Sequence, residues 1–185
     1  MLPTHTHKGA FITACFALLG CAEGSDAPPR ERGSLVDPLG WASEDPELAP
    51  FGEHHGPETP ACLPGGWGPE FGGLEIDTGE CPYASLTQAA RTFGRPGDLL
   101  HVEWWHQDLA AVEPGTGHLA LAVGDEVLWE REVRIPFPAR SYTDTVPIDV
   151  EFEPDAPVHL HLHNHGANTW TIFRVEVGPT EKDAS

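Results

Sequence analysis

Positive charge is scarce in this sequence. Ten lysines and arginines stand against 29 aspartates and glutamates, a formal net charge of −19. A chain that acidic is repelled by nucleic-acid phosphates and by anionic lipid surfaces, so DNA and RNA are disfavoured partners. Long apolar runs are also missing. The run from Ala10 to Leu19 reaches about half of the roughly 20 residues a membrane-spanning helix needs, so no permanent transmembrane anchor is expected. Signals for catalysis are few. Between Gly73 and Gly178 the only serines are Ser85 and Ser141, neither within Gly-x-Ser-x-Gly, and there is no glycine loop to cradle a phosphate. Acid pairs such as Glu103 with Asp108, or Glu130 with Glu132, arise at arbitrary spacing in a chain with 29 acids and read as solvated surface. A non-enzyme is expected.

The opening "MLPTHTHKGAFITACFALLGC" has a short positive head, an apolar stretch and then Gly20-Cys21, the layout of a secretion signal over residues 1–20. Its ending "LLGC" resembles the lipobox of bacterial lipoproteins. That resemblance implies that Cys21 is lipidated and becomes the first mature residue, anchoring the chain to a membrane of the bacterial cell envelope through several acyl chains. Ala22, rather than Asp, after the cysteine favours the outer membrane or cell surface. Cys15 leaves with the signal, and the remaining Cys62 and Cys81 form an even pair, expected as a disulfide outside the cytoplasm. Closing a loop of that size contributes about 3 kcal/mol on the chain-entropy account.

Residues 21–68 are dense in Pro, Gly and acids and hold no sustained apolar period, which predicts a flexible tether; one or both of Trp41 and Trp67 are expected to pack against the domain. Over residues 69–178 the texture becomes short period-two runs between turn residues, an all-β pattern, with residues 179–185 left as a tail. "LLHVEWWH" puts Leu100, Val102, Trp104 and His106 on one face and His101, Glu103 and Trp105 on the other. "GHLALAV" and "EVLWEREVRI" flank Gly124-Asp125 as a hairpin, "TVPIDVEF" reads as a strand whose Pro147 marks an edge or a bulge, and "VHLHLHN" and "TWTIFRVEV" close the domain. About seven to eight strands in some 105 residues predict an antiparallel jelly-roll β-sandwich.

The order "FGGLEIDTGE", "GDLLHVEWWHQ", a hairpin of exposed strands, and "VHLHLHNHGANTWTIFRVEV" is similar to carbohydrate-binding modules of the galactose-binding-like jelly-roll class. The resemblance implies a non-catalytic domain that binds glycans. It also implies a structural calcium, for which Glu75, Asp77 and Glu80 are the candidate ligands, although "TIFRVEV" offers Phe173 and Arg174 where that class has an aspartate.

Two sets of side chains carry candidate chemistry. Trp105 lies on the polar face with Glu103 and His101, and an indole flanked by polar groups is what a sugar ring stacks on. His159, His161 and His163 share one face of a strand about 6.6–6.8 Å apart, with Leu160 and Leu162 pointing to the core. His-x-His on a strand suits zinc or copper, while the simpler reading is a solvated polar face. A structural or protein-contact role needs neither set.

Overall fold

A computed structural model of the protein describes residues 30–54 and 62–180. Cys21 and residues 1–20 lie outside the described residues, as does most of the tail. Among the described residues, eleven strands form two antiparallel sheets: β1 (Gly33–Ser34), β2 (Ala42–Ser43), β3 (Trp67–Glu70), β4 (Gly73–Asp77), β5 (Tyr83–Ala89), β6 (Leu99–His106), β7 (Gly115–Val123), β8 (Glu126–Ile135), β9 (Arg140–Pro147), β10 (Pro157–His163) and β11 (Thr169–Gly178). The order β3-β4-β11-β6-β9 faces β2-β5-β10-β7-β8, and β1 adds to β11. From β4 onward the chain passes from sheet to sheet, except at the β7–β8 hairpin, so that 4-11-6-9 opposes 5-10-7-8, the connectivity of a jelly roll. The expected strand count corresponds to these eight.

The core lies between the sheets, and strand parity builds it. Leu100, Val102, Trp104 and His106 of β6 are all at most 1% exposed, and Leu160 and Leu162 of β10 meet Leu119 and Leu121 of β7 in the same apolar cluster. Trp104 stacks on Tyr142 at 4.0 Å between ring centroids and on Trp170 at 5.9 Å. At the open side of the sandwich, Asp144 of β9 accepts from both indole N–H groups, Trp104 Nε1 at 2.9 Å and Trp129 Nε1 at 3.1 Å, and from Arg131 of β8. One carboxylate thus ties the edge strand of one sheet to that of the other.

His106 faces this core, and its partners settle its tautomer. The carbonyl of Gln107 can only accept, at 2.8 Å from Nδ1, so Nδ1 carries the hydrogen and Nε2 accepts from the Tyr142 hydroxyl at 3.4 Å. Burial pushes its pKa below the ordinary 6.5, and Arg140 pushes the same way, against smaller upward contributions from the Gln107 carbonyl and Asp108. The folded chain therefore binds this proton less readily than the unfolded chain does. The stability His106 contributes is full above the unfolded value and is lost as pH falls through the folded one. An NMR titration of its ring C–H signals is expected to give a midpoint below about 6.5; a midpoint at or above that value would contradict the neutral buried ring.

The segment expected as a tether departs from that expectation over residues 30–54. Leu35, Val36 and Trp41 are 0, 5 and 7% exposed and belong to the main core, while β1 and β2 add short strands to both sheets. Arg30 pairs with Asp98 where this segment begins. It then crosses the outer face of the second sheet as a strap, where Ala49 and Phe51 form a separate small core with Ala120 and Ala122 of β7. Apolar residues too sparse to form an element of their own are ordered because each finds a pocket on a preformed sandwich. Trp67 lies in β3, half-buried against the core, so the domain also begins earlier than residue 69. Cys62 and Cys81 form a disulfide.

Two other departures have local causes. The strand read at "TVPIDVEF" starts earlier, at Arg140, and ends at Pro147; it is an edge strand paired only with β6, so its polar residues alternate with partly buried ones without forming an apolar run. Val127, two residues before the buried Trp129 and so on the same face by simple alternation, is 45% exposed because the register of β7 with β8 shifts between Leu121 and Ala122.

Candidate functional site

The outer face of the first sheet carries a groove of about 490 Å³, with Trp105, Thr171 and Ser141 side by side in register on β6, β11 and β9, and Glu75 opposite Thr171 on β4. Parity sends Trp104 into the core and leaves the Trp105 indole partly exposed in this groove. Two phenylalanines belong to the same hollow, and each is there for a backbone reason. Phe71 sits at the tip of the β3–β4 hairpin with φ +49, followed by Gly72 at φ +83. Paired positive φ angles are what a two-residue hairpin turn needs, and a bulky residue is rare at the first of them. The turn holds Phe71 86% exposed. Phe173 is the extra residue of a β-bulge between Ile172 and Arg174, so Phe173 and Arg174, consecutive in sequence, both face outward.

Polar groups surround these rings. Gln107 continues the outward row of β6, and Glu75 lies in the groove with its carboxyl raised to about 7, by burial first and then by a hydrogen bond and like charge from Glu70, with Asp77 adding to it. A carboxyl poised there donates a hydrogen bond below neutral pH and accepts one above it. Glu103 and His101 are on the same face as Trp105 but lie further along β6, outside the lining of the groove. Glu103 is 3.7 Å from Arg174, and His101 Nδ1 is 2.9 Å from the Thr145 hydroxyl. The structure therefore places Trp105 at the centre of the candidate site, moves Glu103 and His101 to its flank, and adds Glu75, Gln107, Phe71 and Phe173.

The three candidate calcium ligands do not converge into one ligand set among the described residues. Asp77 accepts from the Gly79 N–H at 2.8 Å as a turn residue, Glu80 is exposed on that turn, and Glu75 shares its hydrogen bond with Glu70. Calcium needs six to eight oxygen ligands around one point, and these three carboxylates do not gather around one. The residues present do not fit a calcium ion.

The histidine strand is not the solvated face its alternation suggested. His159 and His161 are 7 and 0% exposed, because the strap lies over them. His159 Nδ1 donates to Glu44 of the strap at 2.7 Å, and His161 packs with Phe51 at 5.2 Å and with Tyr83 at 4.8 Å between ring centroids. His163, half-buried, has its pKa pushed down by burial and then by the neighbouring His165, His118 and His54. These three point the same way, as parity requires, but each has its own surroundings rather than one shared coordination point. Asn164 and Asn168 act within the fold: Asn168 accepts from the Ala110 N–H at 2.7 Å and Asn164 donates to the Thr78 hydroxyl at 2.7 Å, tying the last turn to its neighbours.

No family profile and no curated protein matches this sequence. Among solved structures with a similar fold are a CBM4 module (13% identity, TM-score 0.42, covering 63% of this chain and 96% of that one) and the xylan-binding module CBM15 (12% identity, TM-score 0.44, covering 83% and 100%). A mutant of a carbohydrate binding module of family 29 is similar at 13% identity and a TM-score of 0.43, covering 83% and 96%. Likeness at this level carries no functional weight. Among the described residues, no helix is long and apolar enough to cross a membrane.

Proposed function

We propose that this domain is a non-catalytic module that binds carbohydrate chains in the groove over Trp105. The observation that carries the reading is the partly exposed indole on the floor of an open hollow, with phenylalanine rings beside it and Glu75, Gln107 and Ser141 within the same lining. A pyranose ring presents an apolar C–H face and a polar rim. The first stacks on an indole and the second needs hydroxyl, amide and carboxyl partners of this kind. The signal and lipobox resemblance at Cys21 support display of the module on the bacterial envelope through a lipid anchor.

Affinity electrophoresis through gels holding soluble polysaccharides (xylan, glucomannan, galactan, β-glucan) tests the groove. The wild-type chain is expected to be retarded by at least one of them. Trp105→Ala should weaken that retention at least tenfold, about 1.4 kcal/mol, with an unchanged unfolding midpoint because the indole is not part of the core. Retention that survives the substitution would remove the groove from the binding reaction, and no retention of the wild type by any polysaccharide would remove the function.

A further inference from the structure

On the opposite sheet, away from the groove, the strap and the sandwich bring a second set of groups together. His54 stands at the end of the strap's short 3-10 turn Gly52–His54, and its ring stacks on that of His118 from β7, centroid to centroid 3.6 Å with 12° between planes. His118 Nε2 in turn lies 3.3 Å from Glu130 Oε2 on β8. One ligand atom from each of the three falls within 4.8 Å of the others. From the geometry we infer that His54, His118 and Glu130 hold a divalent late first-row transition ion, zinc or a close relative, and that the ion fastens the strap to the sandwich.

The distances and the donor chemistry carry this. A charge-assisted hydrogen bond between imidazole and carboxylate is ordinarily about 2.7–2.9 Å, so 3.3 Å is long for one. Two ligands on bonds of 2.0–2.1 Å around a tetrahedral ion sit about 3.3 Å apart. The observed spacing matches the second case. The stacked rings are near-parallel, so their in-plane lone pairs do not meet as they stand; to join the ion, the His54 ring has to swing out of the stack about the turn at the end of the strap. Two imidazoles and one carboxylate suit zinc, copper or nickel and not calcium or magnesium. The placement suits a site with an accessible entry: the His118 side chain is 6% exposed and that of Glu130 is 63% exposed, so the ring is held inside while the carboxylate meets solvent. Among the described residues of the strap, Phe51 is the last buried apolar anchor, and His54 follows three residues later.

The test is a calorimetric Zn²⁺ titration of the chelator-treated full chain, with limited proteolysis in parallel. One ion per chain is expected at this site. His54→Ala and Glu130→Gln, both at positions outside the core, should each weaken binding at least tenfold. Zinc should also slow proteolytic cleavage of the strap in the wild type and not in His54→Ala. Absence of binding, or binding indifferent to both substitutions, overturns the site; binding that leaves strap cleavage unaltered overturns the fastening role. Because the groove over Trp105 lies on the other sheet, Trp105→Ala should not change the zinc isotherm.

Discussion

Asp144→Ala is expected to lower the stability of the domain by about 3 kcal/mol, read from the urea unfolding midpoint. The carboxylate accepts from two indoles that are 1 and 3% exposed, Trp104 and Trp129, and from the Arg131 guanidinium at 2.8 Å. Truncation leaves two buried N–H groups with no acceptor, each costing roughly 1–3 kcal/mol. The released charge costs less, because Arg131 is 41% exposed and returns to water, still stacked over the Trp129 ring at 5.8 Å. Asp144→Asn keeps one carbonyl acceptor in place and should cost about half as much. The pH dependence has a definite sign. Burial pushes the Asp144 carboxyl up, but the hydrogen bonds from Arg131 and Trp104, the charge of Arg131 and the hydrogen bond from Trp129 outweigh it and hold the pKa below the ordinary 3.8. Its contribution is therefore present above the unfolded value and lost as pH falls through the folded one. Wild-type stability should drop below about pH 4 more steeply than that of Asp144→Asn. Equal slopes, or a loss under about 1 kcal/mol for the alanine, would show that the two sheets are not joined through this group.

Much of this fold was legible because a strand has a period of two and a sandwich has one inside. Alternation assigned Trp104 inward and Trp105 outward and placed Leu160 and Leu162 in the core, and of the edge or bulge that Pro147 signalled by its missing N–H, the structure has the edge. Alternation failed where the period breaks. The bulge at Phe173 turns two consecutive side chains outward, and no pattern in "TIFRVEV" announces an extra residue, so one of the groove's three aromatic rings was not foreseen. Phe71 was missed for a related reason: "EFGG" signals a turn but not that its aromatic residue takes a positive φ and stands free. Alternation also reports that a face differs from the core without reporting whether water covers it. The polar face of β10 is covered, and the only hint lay on its neighbour, where Ala120 and Ala122 alternate with Leu119 and Leu121. Small residues on an outward face leave room for something to lie close.

What lies there is the strap, and the last prediction follows from its chemistry. Phe51 is 3% exposed, and its neighbours are Ala49, Ala120 and Ala122 with the ring of His161 at 5.2 Å. Phe51→Ala removes the largest apolar group of that small core. Because alanines cannot close the gap, a cost of about 3 kcal/mol is expected, at the lower end for a buried phenylalanine since the strap can lift instead of leaving a void. Lifting has a readout that a merely loosened core lacks. His159 and His161, covered in the wild type, should become reactive toward a histidine-acylating reagent at neutral pH, while His106, buried between the sheets, stays protected in both chains. Reactivity confined to exposed histidines in both proteins would mean that the strap is held by its other anchors, Leu35, Val36 and Trp41. Those three insert into the core between the sheets, whereas Phe51 rests on an outer face. The segment is therefore expected to detach from its far end first, with the half nearer β1 unfolding only with the sandwich itself.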